Sequence, residues 1–299
     1  MLVDPAAFKI GGTEFAFEII APSIPGYGFS EQPHKTGFSQ VAAARVFRKL
    51  MSRLGHKKFY LQGGDWGSVI VGNFARMYPE SVYAVHSNMM MVFPHNLKTS
   101  FITFVGSFFP SLFFANPDHH SYSFFSGLKN VIIESGYMHI QATKPDTVGT
   151  ALNDSPLGLA AYILEKFSTW TNIEYKNLPD GGLTKKFTMD EVLTIVMIYW
   201  TQGNIVSSQR FYKEFFLDPA NQALSMQYLE IPCAHAQFTN EMFDTQPPEI
   251  ISTMGNLTDG PLPKSTKTLK ENIRCILLID SFQALAQHIF AFIRGLQKN

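Results

Sequence analysis

One strand-to-helix junction constrains this chain more than any other feature of its sequence. Lys58 to Gln62 reads as a short strand, Gly63-Gly64-Asp65-Trp66-Gly67 follows at once, and Val69 to Tyr78 reads as a helix closed by Pro79. Val82 to Ser87 reads as a further strand. Upstream, Phe15 to Ala21 is a strand candidate running into the Pro- and Gly-punctuated loop Pro22 to Gly28. Ser39 then stands as N-cap to a helix bearing Val41, Ala44, Phe47, Leu50, Met51 and Leu54, which Gly55 stops. Strands and helices in this order predict a parallel sheet with right-handed crossovers and a ligand site at the carboxyl ends of its strands. Asp65 stands at such an end.

After Phe93 the strand signal lapses for more than a hundred residues, and helical or irregular segments replace it. The expected organisation is a core in two parts, residues 1–93 and 228–299, with residues 94–227 inserted as a helical lid. Within the lid, Thr188-Met-Asp-Glu191 has the form of a capping box opening a helix through Val192, Ile195, Val196, Tyr199 and Trp200. Strand signals return at Ile231 to Phe238 and at Cys275 to Ile279. A last helix, Phe282 to Ile293, places Phe282, Leu285, Ile289 and Ile293 on one face. Pro247 to Lys270 is the most loop-like stretch, and no internal repeat is present.

Composition narrows the partners. Lys plus Arg and Asp plus Glu number 24 each, so no net field attracts nucleic acid or an acidic substrate, and a small neutral ligand is expected. The 27 phenylalanines supply dense core packing and also suit an aromatic-lined apolar pocket. Cys233 and Cys275 lie far apart without CxxC spacing and read as core residues of a reduced protein. The longest apolar stretch, Phe101 to Ala115, is broken by Ser107, Pro110 and Ser111, and no secretory leader or membrane anchor is expected. His119-His120 beside Asp118 lacks a third ligand at helical or strand spacing, so no metal is expected. Asn256-Leu-Thr is a glycosylation sequon without a secretory context, and His86 reads as a hydrogen-bonded residue at a site rim.

Gly63-x-Asp65-x-Gly67 between strand and helix matches the nucleophile elbow, with Asp in place of the usual Ser. A carboxylate raised there can displace a leaving group from an electrophilic carbon, in an epoxide or an alkyl halide, and form an ester. The helix that follows points its N-terminus at the site, favouring the anion and offering the Trp66 N–H to a developing oxyanion. The same pentapeptide also fits a turn with an N-capping Asp.

Longer motifs extend the pattern. Pro22-Ser-Ile-Pro-Gly-Tyr-Gly-Phe-Ser-Glu31, Gly63-Gly-Asp-Trp-Gly-Ser68, Glu134-Ser-Gly-Tyr-Met-His-Ile-Gln141, Lys144-Pro-Asp-Thr147, Ala151-Leu-Asn-Asp-Ser-Pro156, Tyr199-Trp-Thr and Ser207-Ser-Gln-Arg-Phe-Tyr-Lys-Glu214 resemble the microsomal and juvenile hormone epoxide hydrolases. The resemblance runs from about Phe17 to Leu217. It implies an α/β-hydrolase fold, with a mostly parallel central sheet incomplete at its N-terminus and an inserted helical lid. It also implies an epoxide hydrolase that takes small apolar epoxides, needs no cofactor and lies at the cytosolic face of the endoplasmic reticulum membrane, with a cytoplasmic location as the alternative for a chain in which no anchor is expected. Asp65 is then the nucleophile, Tyr137 and Tyr212 donate protons to the epoxide oxygen, Glu241 is the charge-relay acid, and Trp66 serves the oxyanion. A phenol suits proton donation, because its ordinary pKa near ~10 keeps it protonated at neutral pH.

The sequence departs from that family in two places. The Gly-Gly-His-Phe loop that carries the family's catalytic base between the last strand and last helix is missing. Asp280-Ser281 leads straight into the Phe282 helix, leaving His288 inside that helix as the sole histidine after Glu241. The family's anchor, its N-terminal meander and its His-Gly-x-Pro oxyanion loop are likewise expected to be absent. The expectation is alkylation of Asp65 with the hydrolytic half-reaction impaired. The alternatives are a non-catalytic hydrophobic ligand binder, or incomplete family product, and a haloalkane dehalogenase.

Overall fold

The computed structural model describes residues 1–10, 15–90, 92, 97–114, 124–236, 238, 246–258 and 282–297. Among these described residues four strands, β1 (Phe59–Gly63), β2 (Val82–Ser87), β3 (Leu229–His235) and β4 (Gly255–Leu257), lie side by side in that order, and every neighbouring pair is parallel. Parallel neighbours require long crossovers, and α2 (Trp66–Met77) provides the first. It packs with α1 (Gln40–Arg53) on one face of the sheet, where Ala43, Ala44, Ile70, Phe74, Val85 and Cys233 form a buried cluster. On the other face α13 (Phe282–Leu296) lays Leu285, Ile289 and Ile293 against Ala84, Ala234 and Ala236. Alternation along the strands explains the division. Val85 pairs with Cys233 on the first face, and His86 pairs with Ala234 on the second. Small alanines there let the helix come close.

From β2 to β3 the described residues are helical: α3 (Leu97–Phe108), α4 (Pro110–Phe113), α5 (Phe124–Glu134), α6 (Gly136–Thr143), α7 (Pro145–Asp154), α8 (Pro156–Thr169), α9 (Met189–Gln202), α10 (Ile205–Phe216) and α11 (Pro219–Ser225). The predicted capping box opens α9: the Glu191 N–H donates to Thr188 Oγ1 at 3.3 Å, and the Thr188 N–H donates to Glu191 Oε2 at 2.8 Å. Gly203, at φ 58°, ends it.

α10 is the helix that couples this layer to the sheet. Asn204 Nδ2 donates to the Gly28 carbonyl at 3.0 Å, Ser207 Oγ to the Gly26 carbonyl at 2.7 Å, and the Tyr27 hydroxyl to the Ser208 carbonyl at 2.6 Å. Gly28 takes φ 53°, and a Cβ there would meet Ser23 Oγ at 2.7 Å, so the loop needs glycine. Phe211 is buried at 2% exposure, with the rings of Trp66, Tyr27 and Phe38 at 5.7, 5.7 and 6.2 Å.

Two expectations are corrected. Phe15 to Ala21 is not a strand: its Phe17 N–H reaches the Leu2 carbonyl at 3.0 Å, but no ladder forms, and Phe15 and Phe17 are held instead by stacking near Phe290 at 5.5 and 5.2 Å. The stretch read as the most loop-like contains α12 (Pro248–Ile251) and β4, because Ile250 and Ile251 are buried beside Leu257. The strand expected at Cys275 to Ile279 lies outside the described residues. Cys233 is buried as a free thiol, and burial pushes it up to about 12.

Phe211→Ala should cost about 3–5 kcal/mol in denaturant unfolding, the usual range for deleting a buried ring. Leu157→Ala, at a position 80% exposed, should stay within about 0.5 kcal/mol. Equal losses for the two would show that α10 does not seat the helical layer on the core.

Candidate active site

The turn after β1 has little freedom. A Cβ on Gly63 would run into the Gly67 carbonyl group and come within 2.9 Å of the Ser68 nitrogen, and one on Gly64 would lie 2.7 Å from the Asn88 side-chain amide. Gly67, by contrast, faces open space, so its smallness is not enforced by contact. The turn drives Asp65 to φ 46° and ψ −129°, a positive-φ backbone uncommon for a side-chain-bearing residue. Asn88, the residue after β2, braces it: its N–H reaches the Gly63 carbonyl at 3.3 Å, and its Oδ1 accepts from Gln62 Nε2 at 2.9 Å.

Asp65 is the N-cap of α2, and its Oδ1 accepts the Trp66 N–H at 2.6 Å. The amide expected to face an oxyanion is therefore already aimed at the carboxylate. Burial raises the Asp65 carboxyl above its ordinary range, while the Trp66 amide pulls it down. Capping alone would not bring a carboxylate within electrostatic reach of a group of phenols, as this turn does.

Tyr137, on α6, and Tyr212, on α10, meet with ring centroids 6.0 Å apart at 83°, close enough to Asp65 for its charge to act on both. Burial and the Asp65 charge raise both phenols above their ordinary value, and hydrogen bonding with the Tyr212 side chain pulls Tyr137 the other way. The Trp66 ring lies 4.7 Å from that of Tyr212 and is also flanked by Phe211 and Phe215. Its indole nitrogen is buried without a hydrogen-bond partner among the described residues. Two further phenols surround the carboxylate: Tyr27 and Tyr199 are both raised by burial and by the Asp65 charge. Neither was singled out as a site residue from sequence, although both lie within the motifs that carry the resemblance. Glu241 lies outside the described residues.

The histidines go elsewhere. His86 is buried and its Nε2 lies 2.9 Å from His288 Nδ1, so His86 is not at a site rim and His288 packs against the sheet from within α13. Desolvation is the main cause lowering both, and it brings His235, beside the Ser87 carbonyl at 3.3 Å, to about 4. Among the described residues no cluster of three or more His, Cys, Asp or Glu could hold a metal ion, and no helix is long and apolar enough to cross a membrane. His119 and His120 lie outside the described residues.

The model of the α/β hydrolase fold matches residues 3–240. The chain belongs to the α/β-hydrolase fold family. Within this family it falls among the epoxide hydrolases. It is 56% identical over 216 residues to epoxide hydrolase 1 of Sus scrofa, covering 72% of this chain and 47% of that protein. It is 45% identical over 276 residues to juvenile hormone epoxide hydrolase 1 of Ctenocephalides felis, covering 91% of this chain and 55% of that protein. The crystal structure of juvenile hormone epoxide hydrolase from the silkworm Bombyx mori superposes with a TM-score of 0.86 at 38% identity, over 96% of this chain and 66% of that one. This α/β hydrolase thus spans about half the length of the two curated relatives.

A buried carboxyl raised in the folded protein costs stability wherever it is ionised, and the cost disappears once pH falls below the unfolded carboxyl's ordinary value of about 3.9. Asp65→Asn should therefore melt above the wild type at pH near ~7, with the gap closing as pH falls towards ~4. Differential scanning calorimetry across that range checks this, and a variant less stable at neutral pH would contradict it.

Proposed function

We propose that this chain opens small apolar epoxides through an alkyl ester on Asp65, and that hydrolysis of that ester is slow. The observation that carries the reading is the buried Asp65 carboxylate at the strand-to-helix turn, with Tyr137 and Tyr212 in contact with each other and within reach of its charge. One carboxylate oxygen is held by the Trp66 N–H, leaving the other to attack the epoxide carbon. The epoxide C–O bond breaks as the phenols donate to its oxygen. In the ester, the oxygen held by Trp66 becomes the carbonyl, so the same amide stands ready for an oxyanion. The names of the relatives support an epoxide substrate, and helices α3 to α11 serve as the lid that carries both phenols.

The hydrolytic half needs a base to activate water. His86 and His288 are hydrogen-bonded to each other, and burial lowers both, which supports neither as that base. The phenol pair favours an epoxide over a haloalkane, since a departing halide takes no proton. A charge-relay role for Glu241 and a place at the cytosolic face of the endoplasmic reticulum membrane complete the reading, both supported by family resemblance.

With excess of a small lipophilic aryl epoxide, released diol should stay at or below one equivalent per protein. Tyr137→Phe should slow adduct formation by about 100-fold, the lower range for losing a general acid. Diol over many turnovers would show a working hydrolytic half. Unchanged alkylation in Tyr137→Phe would remove the proton-donor role. Reversible binding without adduct, surviving in Asp65→Asn, would identify a ligand binder.

A further inference from the structure

The Tyr137 ring is clamped by α8. Lys166 Nζ lies 5.2 Å from the centroid of Tyr137 and 5.9 Å from that of Trp170, and the Trp170 ring stands 5.1 Å from Tyr137 at 68°. The cation is itself fixed: it lies 2.6 Å from Glu165 Oε2 and donates to the Glu134 carbonyl at 3.4 Å, and its side chain is only 20% exposed. Glu134, buried and 3.4 Å from Lys176, ends α5 just before Tyr137, so Lys166 ties α8 to the junction from which Tyr137 projects.

We propose that Lys166 is a positioning residue for Tyr137: its ammonium, held over the ring face, fixes the phenol near Asp65 and stabilises the charge that the ring acquires as its proton leaves. The inference rests on the reading of Tyr137 as a proton donor. In the step concerned, an Asp65 oxygen lone pair forms the C–O ester bond and the epoxide C–O bond breaks with its electron pair on oxygen. That oxygen takes the Tyr137 proton, and the resulting phenolate later regains a proton from water. Around the phenol stand Asp65 from the turn after β1, Tyr212 from α10, Tyr162 from α8 and Tyr27 from the Pro-Gly loop, and Asp65 and Tyr162 oppose its ionisation. Lys166 is the cation set against the ring face. A ring's negative face attracts a cation, and more strongly once the ring is a phenolate.

The test compares Lys166→Met, which keeps the length of the stem, with Lys166→Arg, which keeps the cation. Adduct formation with excess aryl epoxide, followed by intact-protein mass, should slow by about tenfold in Lys166→Met and stay near wild type in Lys166→Arg. In a Tyr137→Phe background, Lys166→Met should have no further effect. With difluorotyrosine in place of Tyr137, ionisation followed by absorbance should move to higher pH in Lys166→Met and not in Lys166→Arg. Unchanged rate and ionisation in Lys166→Met, or a loss as large in the Tyr137→Phe background, would overturn the proposal. Should wild type form no adduct, the functional reading fails by itself, and the difluorotyrosine titration still decides for or against Lys166.

Discussion

Everything at this site depends on a steric exclusion: nothing larger than hydrogen fits on Gly63 against the Gly67 carbonyl. With that space closed, β1 can pass into α2 only through a turn that puts Asp65 at positive φ, with its side chain at the helix N-terminus. The strain is local and the restraint collective. Asn88 holds the Gly63 carbonyl and Gln62 from just beyond the neighbouring strand, so the sheet register and the nucleophile's position are set together.

The second constraint is the attachment of α10. Its first turn is hydrogen-bonded to Gly26, Tyr27 and Gly28, while Phe211 is buried beside Trp66. Tyr212 follows Phe211 directly, so seating that buried ring places the neighbouring phenol near the turn. Tyr137 arrives from a different helix and is held by Trp170 and Lys166. The two phenols are thus anchored from different helices, and their own ring contact and hydrogen bond join them.

Much of this could be read along the chain. Val82–Ser87 forms as predicted, the Thr188 capping box closes as its spacing requires, and Gly63 is glycine for a contact that the turn motif implies, whereas the motif's other glycine, Gly67, faces open space and the contact-limited one beside it is Gly64. The misreadings share a physical cause. Phe15 to Ala21 has the pattern of a strand, yet a strand exists only where a neighbour completes its ladder, and apolar spacing cannot report that. β4 spans Gly255–Leu257, too short to leave a pattern. His86 meets His288 across 202 residues of sequence, a contact created by the packing of α13 on the sheet rather than by any local signal. Tyr27 and Tyr199 were visible inside motifs, but their approach to Asp65 arises only when the loop, α9 and α10 come together.

Covalent attack by Asp65 is tested most directly by locating the bond it forms. After reaction with a small aryl epoxide, the protein would be digested with trypsin and mapped by mass spectrometry. The peptide from Phe59 to Arg76 contains Asp65 and neither histidine, cysteine nor lysine. Attack by the Asp65 carboxylate places the adduct on that peptide, at Asp65, as an ester cleaved by hydroxylamine. An adduct confined to other peptides, or one on this peptide that Asp65→Asn leaves in place, would contradict it.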